Sequence, residues 1–154
     1  MPAFSKSSNN KLETCHPDIQ TLFHYVIKYF DCKVIYGHRG TNLQFELFQK
    51  GRKKIRGVWM IENKKEIITY CDGYKKKSEH RFNPSRAIDV IPYPIQWENT
   101  RRMLFFIGYV KGVAQMLYDY GAIDSKIVSG RDWDDDTILT DQTFNDFAHY
   151  QIKR

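Results

Sequence analysis

Cysteine is scarce in this chain. The three present among 154 residues, Cys15, Cys32 and Cys71, are an odd number at unrelated spacings, so no disulfide framework is indicated. None has a neighbour that would mark it as a nucleophile, and no serine sits on a nucleophile elbow, which leaves a Ser-His-Asp hydrolase without support. Long apolar runs are missing too. The longest, such as Met103–Tyr109, falls far short of the roughly 20 residues a membrane span needs. The opening residues, Met1 to Asn10, lack the apolar core of a secretory signal, so the expectation is a soluble protein made in a reducing cytosol. No repeat and no linker interrupts the chain.

Hydrophobic residues at 42% and aromatics at 15% are enough for a real core, and the length suits a single domain. The domain is expected over 15–154, preceded by a flexible N-terminal arm at 1–14. The net charge of +6 is unevenly spread. Lys50–Arg81 carries eleven Lys or Arg against four acids, and Asp119–Asp146 carries eight Asp against Lys126 and Arg131. A positive balance favours polyanions, so an electrostatic contact with an anionic cell wall or membrane surface is expected of the basic half. A nucleic-acid partner would rest on charge alone, with no motif behind it, and is not expected.

Helices are expected where apolar residues recur at helical spacing. One runs from Asp18 through Ile19, Leu22, Phe23, Val26, Ile27 and Phe30. Another, capped by Asn99 or Thr100, carries Met103, Leu104, Ile107, Val110, Val113, Ala114 and Leu117, and closes at Gly121. A shorter helix is expected over Thr41–Lys50. Strands are expected at Lys33–Tyr36, Ala87–Ile91, Lys126–Ser129 and Phe147–Ile152, with Val58–Ile61 and Ile67–Cys71 forming a hairpin before an Asp72–Gly73 turn. Helices and strands in mixed order, with hairpins and no regular βαβ units, give an α+β class: a small antiparallel sheet flanked by helices.

Three stretches concentrate metal-binding side chains: Ser78-Glu79-His80 leading to Asp89, Asp146-Phe147-Ala148-His149, and Arg131–Asp136. Two histidines and one carboxylate leave a zinc ion a fourth position open for water, the catalytic rather than the structural arrangement. Zinc lowers the pKa of that water to about 7. A nearby free carboxylate can then move its proton. Asp89 is informative by itself, because a carboxylate inside the apolar strand Ala-Ile-Asp-Val-Ile is costly unless paired or metal-bound. The acidic stretch Asp132–Asp141 lacks calcium-loop spacing and reads as a solvated turn. His16, His24 and His38 read as structural or exposed, and Trp97 and Trp133 as core aromatics.

The stretch Lys77–Trp97, with Ser78-Glu79-His80 and Pro84-Ser85-Arg86-Ala87-Ile88-Asp89, resembles the Ser-x-His…Pro-Ser-x-Ala-x-Asp motif of zinc peptidoglycan peptidases. This is the D-alanyl-D-alanine carboxypeptidase and L-alanyl-D-glutamate endopeptidase family, VanY-like, with the hedgehog/D-Ala-D-Ala peptidase fold. Bacteriophage endolysins are its closest-looking members. Gly130–Asp134 and Asp141–Tyr150 look like the family's second signature. His16–Gln20, Gly37-His38-Arg39-Gly40 and Gln44 are similar to its opening. The likeness thus runs co-linearly from His16 to the end.

The resemblance implies that His80, Asp89 and His149 ligate Zn²⁺, that Asp146 is the catalytic acid/base, and that Arg39 steadies the scissile carbonyl. Ser78 would support the site by hydrogen bonding. The departures are Arg81 where relatives often have Asn, Ala148 where Pro is common, Tyr150-Gln151 for Phe-Glu, and extra length across Lys54–Tyr74. The expected function is hydrolysis of a peptidoglycan peptide, as an L-alanyl-D-glutamate endopeptidase of phage-endolysin type. Such an enzyme would be a monomer that collects in the host cytoplasm and reaches the wall after another protein breaches the membrane. The alternatives are a D-alanyl-D-alanine carboxypeptidase and a non-catalytic, zinc-containing wall-binding or virion module.

Overall fold

The computed structural model describes all residues 1–154. In chain order the elements are α1 (Lys6–Leu12), α2 (Pro17–Val26), β1 (Cys32–Tyr36), α3 (Thr41–Gln49), β2 (Arg52–Ile55), β3 (Val58–Ile61), β4 (Ala87–Pro92), α4 (Thr100–Asp119), β5 (Ile127–Ser129) and β6 (His149–Ile152). Strands β1-β4-β6-β5 form an antiparallel sheet in that spatial order, and β2 and β3 pair separately. The α+β class is as expected.

The sheet separates the core from the site. On β4, side chains alternate across the sheet. Ile88 and Val90 join Tyr150 and Ile152 of β6 in a core closed by Leu22, Phe23 and Val26 of α2 and by Phe106, Val110 and Val113 of α4. Between them Asp89 points to the opposite face, directly across from His149 in the β4–β6 register. The stripes on α2 and α4 explain their positions. The Asn99 side chain caps α4 by accepting from the Arg102 N–H at 3.1 Å. Burial pushes the Cys15 thiol up to about 12 and raises that of Cys32 as well, so both behave as core residues.

Two expectations need correction. Residues 1–14 are not an arm without structure, because Lys6–Leu12 is helical. Ser5 caps it by accepting from the Ser8 N–H at 3.2 Å, Leu12 is fully buried, and the Ser8 hydroxyl accepts from the Val34 N–H of β1 at 3.3 Å. The hairpin is also shifted along the chain. Val58–Ile61 pairs with Arg52–Ile55 across an Arg56-Gly57 turn, whereas Ile67–Cys71 is not a strand. That segment is held instead by Gln44 of α3, whose Nε2 donates to Thr69 Oγ1 at 3.1 Å and to the Cys71 carbonyl at 2.8 Å.

Candidate metal centre

His80, Asp89 and His149 meet in one buried cluster. Asp89 and His149 arrive as a cross-strand pair. His80 comes from a single 3₁₀ turn, Glu79–Arg81, whose first N–H groups are met by Ser78; its hydroxyl accepts from the His80 N–H at 3.3 Å. The Ser78 hydroxyl thus holds the turn that carries His80. His80 Nε2 lies 3.2 Å from Asp89 Oδ1 and 3.3 Å from His149 Nδ1, and His149 Nδ1 lies 3.1 Å from Asp89 Oδ1. Ligands 2.0–2.1 Å from a tetrahedral zinc are separated by about 3.3 Å, so these three atoms are spaced like one face of such a polyhedron.

The outer nitrogens fix what the inner ones can do. His80 Nδ1 is 2.6 Å from the Gly37 carbonyl, which can only accept, so that nitrogen carries the proton and Nε2 presents a lone pair. His149 Nε2 donates to Gln151 Oε1 at 2.9 Å, which likewise turns the Nδ1 lone pair inward. Three electron-rich atoms thus converge with no hydrogen between them in the neutral tautomers, an arrangement that asks for a cation.

Charge in the cluster is tuned accordingly. Burial opposes ionisation of Asp89. In the metal-free protein, where a second proton on these histidines points at Asp89, the His80 charge, hydrogen bonds from His149 and His80 and the Arg39 charge outweigh it and hold the carboxyl well below its usual range. Burial lowers the pKa of His80 and outweighs Asp89 there. For His149, burial is overcome by the hydrogen bond and charge of Asp89 and by the charge of Asp146, and its pKa rises. A proton held on His149 would be displaced by a metal, so binding would be pH-linked.

Arg39 and Asp146 stand beside this cluster. Arg39 is buried, its Nη2 is 3.8 Å from Asp89 Oδ2, and its Nε has no partner. An unsatisfied guanidinium N–H in a buried site is costly, and a ligand oxygen would relieve it. Burial raises the Asp146 carboxyl to about 6, helped by the negative charge of Asp89. Its backbone is gripped by Gly130: the Asp146 N–H donates to the Gly130 carbonyl at 2.8 Å, and the Gly130 N–H donates to the His149 carbonyl at 2.8 Å. A methyl group at Gly130 would sit 2.5 Å from the Asp146 carbonyl oxygen and 3.1 Å from His149 Cβ, so only glycine lets these segments close.

The site opens on two sides. A cleft of about 730 Å³ has Arg39, Asp146 and His149 in its lining and four cations, Lys76, Lys77, Lys153 and Arg154, around it. A second, more apolar pocket of about 400 Å³ shares Arg39 and Asp146 and adds Ile35, Trp97 and Met103. Trp133 lines the first, with its ring 5.2 Å from that of His149 and stacked on Phe144. Trp97 is 58% exposed. Both tryptophans are cleft walls and not core, because the pockets they line open beside Asp89 and His149.

The other histidines have structural partners: His38 Nδ1 bonds the Phe82 carbonyl at 2.8 Å, and His16 Nδ1 accepts from the Asp18 N–H at the start of α2. In the acidic stretch, Asp132 is buried. It accepts from the Asp136 and Thr137 N–H groups and pairs with Lys111 at 3.6 Å, which makes it the organiser of a loop. Gln151, Gly37 and Gly130 were not singled out as functional from sequence. The available signal for Gln151 was its position two residues after His149, on the same strand face.

No protein-family model matches the chain, and no curated protein sequence matches it significantly. Solved structures do. The L-Ala D-Glu endopeptidase ChiX of Serratia marcescens superposes with a TM-score of 0.63 at 19% identity, covering 97% of this chain and 88% of that one. The vancomycin resistance D,D-pentapeptidase VanY of a VanB-type cassette, an E175A mutant in complex with Zn(II), gives 0.50 at 16% identity, covering 100% and 80%. The chain shares their fold. That agrees with the fold expected from the sequence motifs, and one of these neighbours holds zinc.

Proposed function

We propose that the chain is a zinc-dependent peptidoglycan peptidase that cuts the L-alanyl-D-glutamate bond of the stem peptide, as a phage-type endolysin. The observation that carries this reading is the convergence of three lone-pair atoms from His80, Asp89 and His149, 3.1–3.3 Å apart, beside a buried Arg39 with an unpartnered Nε and an Asp146 whose pKa is raised. A zinc ion held by the triad would polarise the scissile carbonyl and acidify the attacking water.

The remaining work falls to this chain's own groups. Asp146, with a carboxyl pKa near 6, is poised to accept the water's proton at neutral pH and to return it to the departing amine. Arg39 is placed to donate to the oxygen on which negative charge develops, an interaction that strengthens in the transition state. Its ion pair with Asp89 keeps the guanidinium at the ligand cluster. Lys76, Lys77, Lys153 and Arg154 make the larger cleft favourable to a substrate carrying carboxylates, as the stem peptide does from D-glutamate onward. A purely structural metal site would need neither Asp146 nor Arg39, which weighs against a binding module. The likeness to ChiX, an L-Ala D-Glu endopeptidase, is the ground for taking the endopeptidase as the first reading and the carboxypeptidase as the second. In this reading the protein acts as a monomer, collecting in the host cytoplasm and meeting the wall once the membrane is breached.

Mass spectrometry of products from purified sacculi tests it. New amino termini on D-glutamate are expected. Loss of the terminal D-alanine alone would replace the endopeptidase by the carboxypeptidase, and intact muropeptides would refute both.

A further inference from the structure

The β2–β3 hairpin has two unlike faces. Residues opposite one another in its register share a face. Trp59 and Lys54 form one such pair, and Trp59 packs edge-on against Phe45 and Phe48 of α3 at ring distances of 5.9 and 6.4 Å, which moors the hairpin to the body of the protein. Arg52, on that same face, stacks its guanidinium over Phe48 at 4.0 Å. The other face carries Lys53, Ile55, Val58 and Met60, paired Lys53 with Met60 and Ile55 with Val58. Nothing covers it. Ile55 is 47% exposed, Val58 63% and Met60 53%. The two strands meet in a turn at Arg56 and Gly57, both at positive φ, which places another cation at the tip.

We propose that this outer face docks the protein on an anionic lipid bilayer, with Ile55, Val58 and Met60 entering the boundary between headgroups and acyl chains while the flanking cations meet lipid phosphates. Charge complementarity selects that surface: residues 50–65 hold seven Lys or Arg against one acid, Glu62. The apolar cluster selects lipid over a wall polyanion, because a soluble polyanion gains nothing from three adjacent aliphatic side chains, whereas an interfacial anchor needs both. A protein partner fits less well, since like charges so dense at the rim would have to be matched one by one. The inference stands on the hairpin alone and is independent of the catalytic reading.

Co-sedimentation of the full chain with vesicles tests it, using phosphatidylcholine alone and phosphatidylcholine containing phosphatidylglycerol. Binding is expected only with the anionic lipid. The double variant Val58→Ser, Met60→Ser is expected to weaken it about tenfold. Lys53→Gln and Arg56→Gln are each expected to weaken it about fivefold. All four positions are exposed, so the thermal midpoint should hold. Absence of binding to anionic vesicles overturns the proposal. So does binding that the Val58→Ser, Met60→Ser variant retains in full, since attraction by charge alone would then make the surface a site for wall polyanions.

Discussion

Asp146→Asn removes a negative charge that the fold holds at a cost while keeping the oxygen that accepts from the Ala148 N–H at 3.3 Å. The carboxyl's pKa rises from 3.8 to about 6 on folding, mainly through burial and then through the charge of Asp89. A raised carboxyl pKa means that the folded state binds the proton more tightly than the unfolded chain. The penalty is therefore absent below about pH 4, grows between 4 and 6, and is constant above. At 1.36 kcal/mol per tenfold change, it amounts to about 2–3 kcal/mol at pH 7.5 and about half that at pH 5. In urea unfolding of metal-free protein, Asp146→Asn should be more stable than the parent by that amount at pH 7.5, and the advantage should vanish near pH 3.5. Restoring zinc should shrink the difference, because a cation in the cluster offsets Asp89, and the variant should have lost its hydrolytic activity. A stability difference that stays flat from pH 3.5 to 7.5 would refute the buried placement of the Asp146 carboxyl.

Gln151→Ala removes the acceptor that orients His149 Nε2 at 2.9 Å and should lower zinc affinity by about 10–100-fold in a competition titration, with the fold retained. Gly130→Ala should lower the rate of peptide cleavage although it replaces no ligand, because the added methyl displaces Asp146 and His149 together. Leu12→Ala, in a helix that the composition of 1–14 does not advertise, should cost about 2–5 kcal/mol in urea unfolding, since the side chain is fully buried. A cost near zero would mean that α1 is detached in solution.

What the sequence made legible follows from what leaves a pattern. The stripes of α2 and α4 are long enough to set helical period, and an aspartate flanked by Ile88 and Val90 announces a carboxylate with a special partner. His80 and His149 could be joined to it only through the family resemblance, because the contact spans 69 residues of chain between them. α1 was hidden because Lys-Ser-Ser-Asn-Asn-Lys-Leu buries only Ser8 and Leu12, too few for a stripe. The hairpin was misread because Arg52-Lys53-Lys54 shows no apolar alternation: its strand is exposed on one side and covered by cation–aromatic contacts on the other. The carbonyl of Gly37 is visible only once the segment after β1 is in place, since a backbone oxygen carries no sequence signal, and Gln151 offers only its spacing of two from His149, which gains meaning once β6 is in place. Trp97 and Trp133 were misplaced for a related reason. Nothing in an aromatic's immediate neighbours tells a core face from a cleft wall.

The proposed peptidase activity depends on one zinc, held by His80, Asp89 and His149, with Asp146 as its acid/base. It is tested most directly by stripping the protein with chelator and following the release of new amino groups from purified sacculi as Zn²⁺ is added back, with Asp146→Ala alongside. Stripped protein should release none, added zinc should give a rise that breaks at one equivalent per chain, and the variant should release none although it binds the same equivalent. Hydrolysis that survives stripping, a full rate in Asp146→Ala, or one tightly bound zinc with no hydrolysis at all would contradict it.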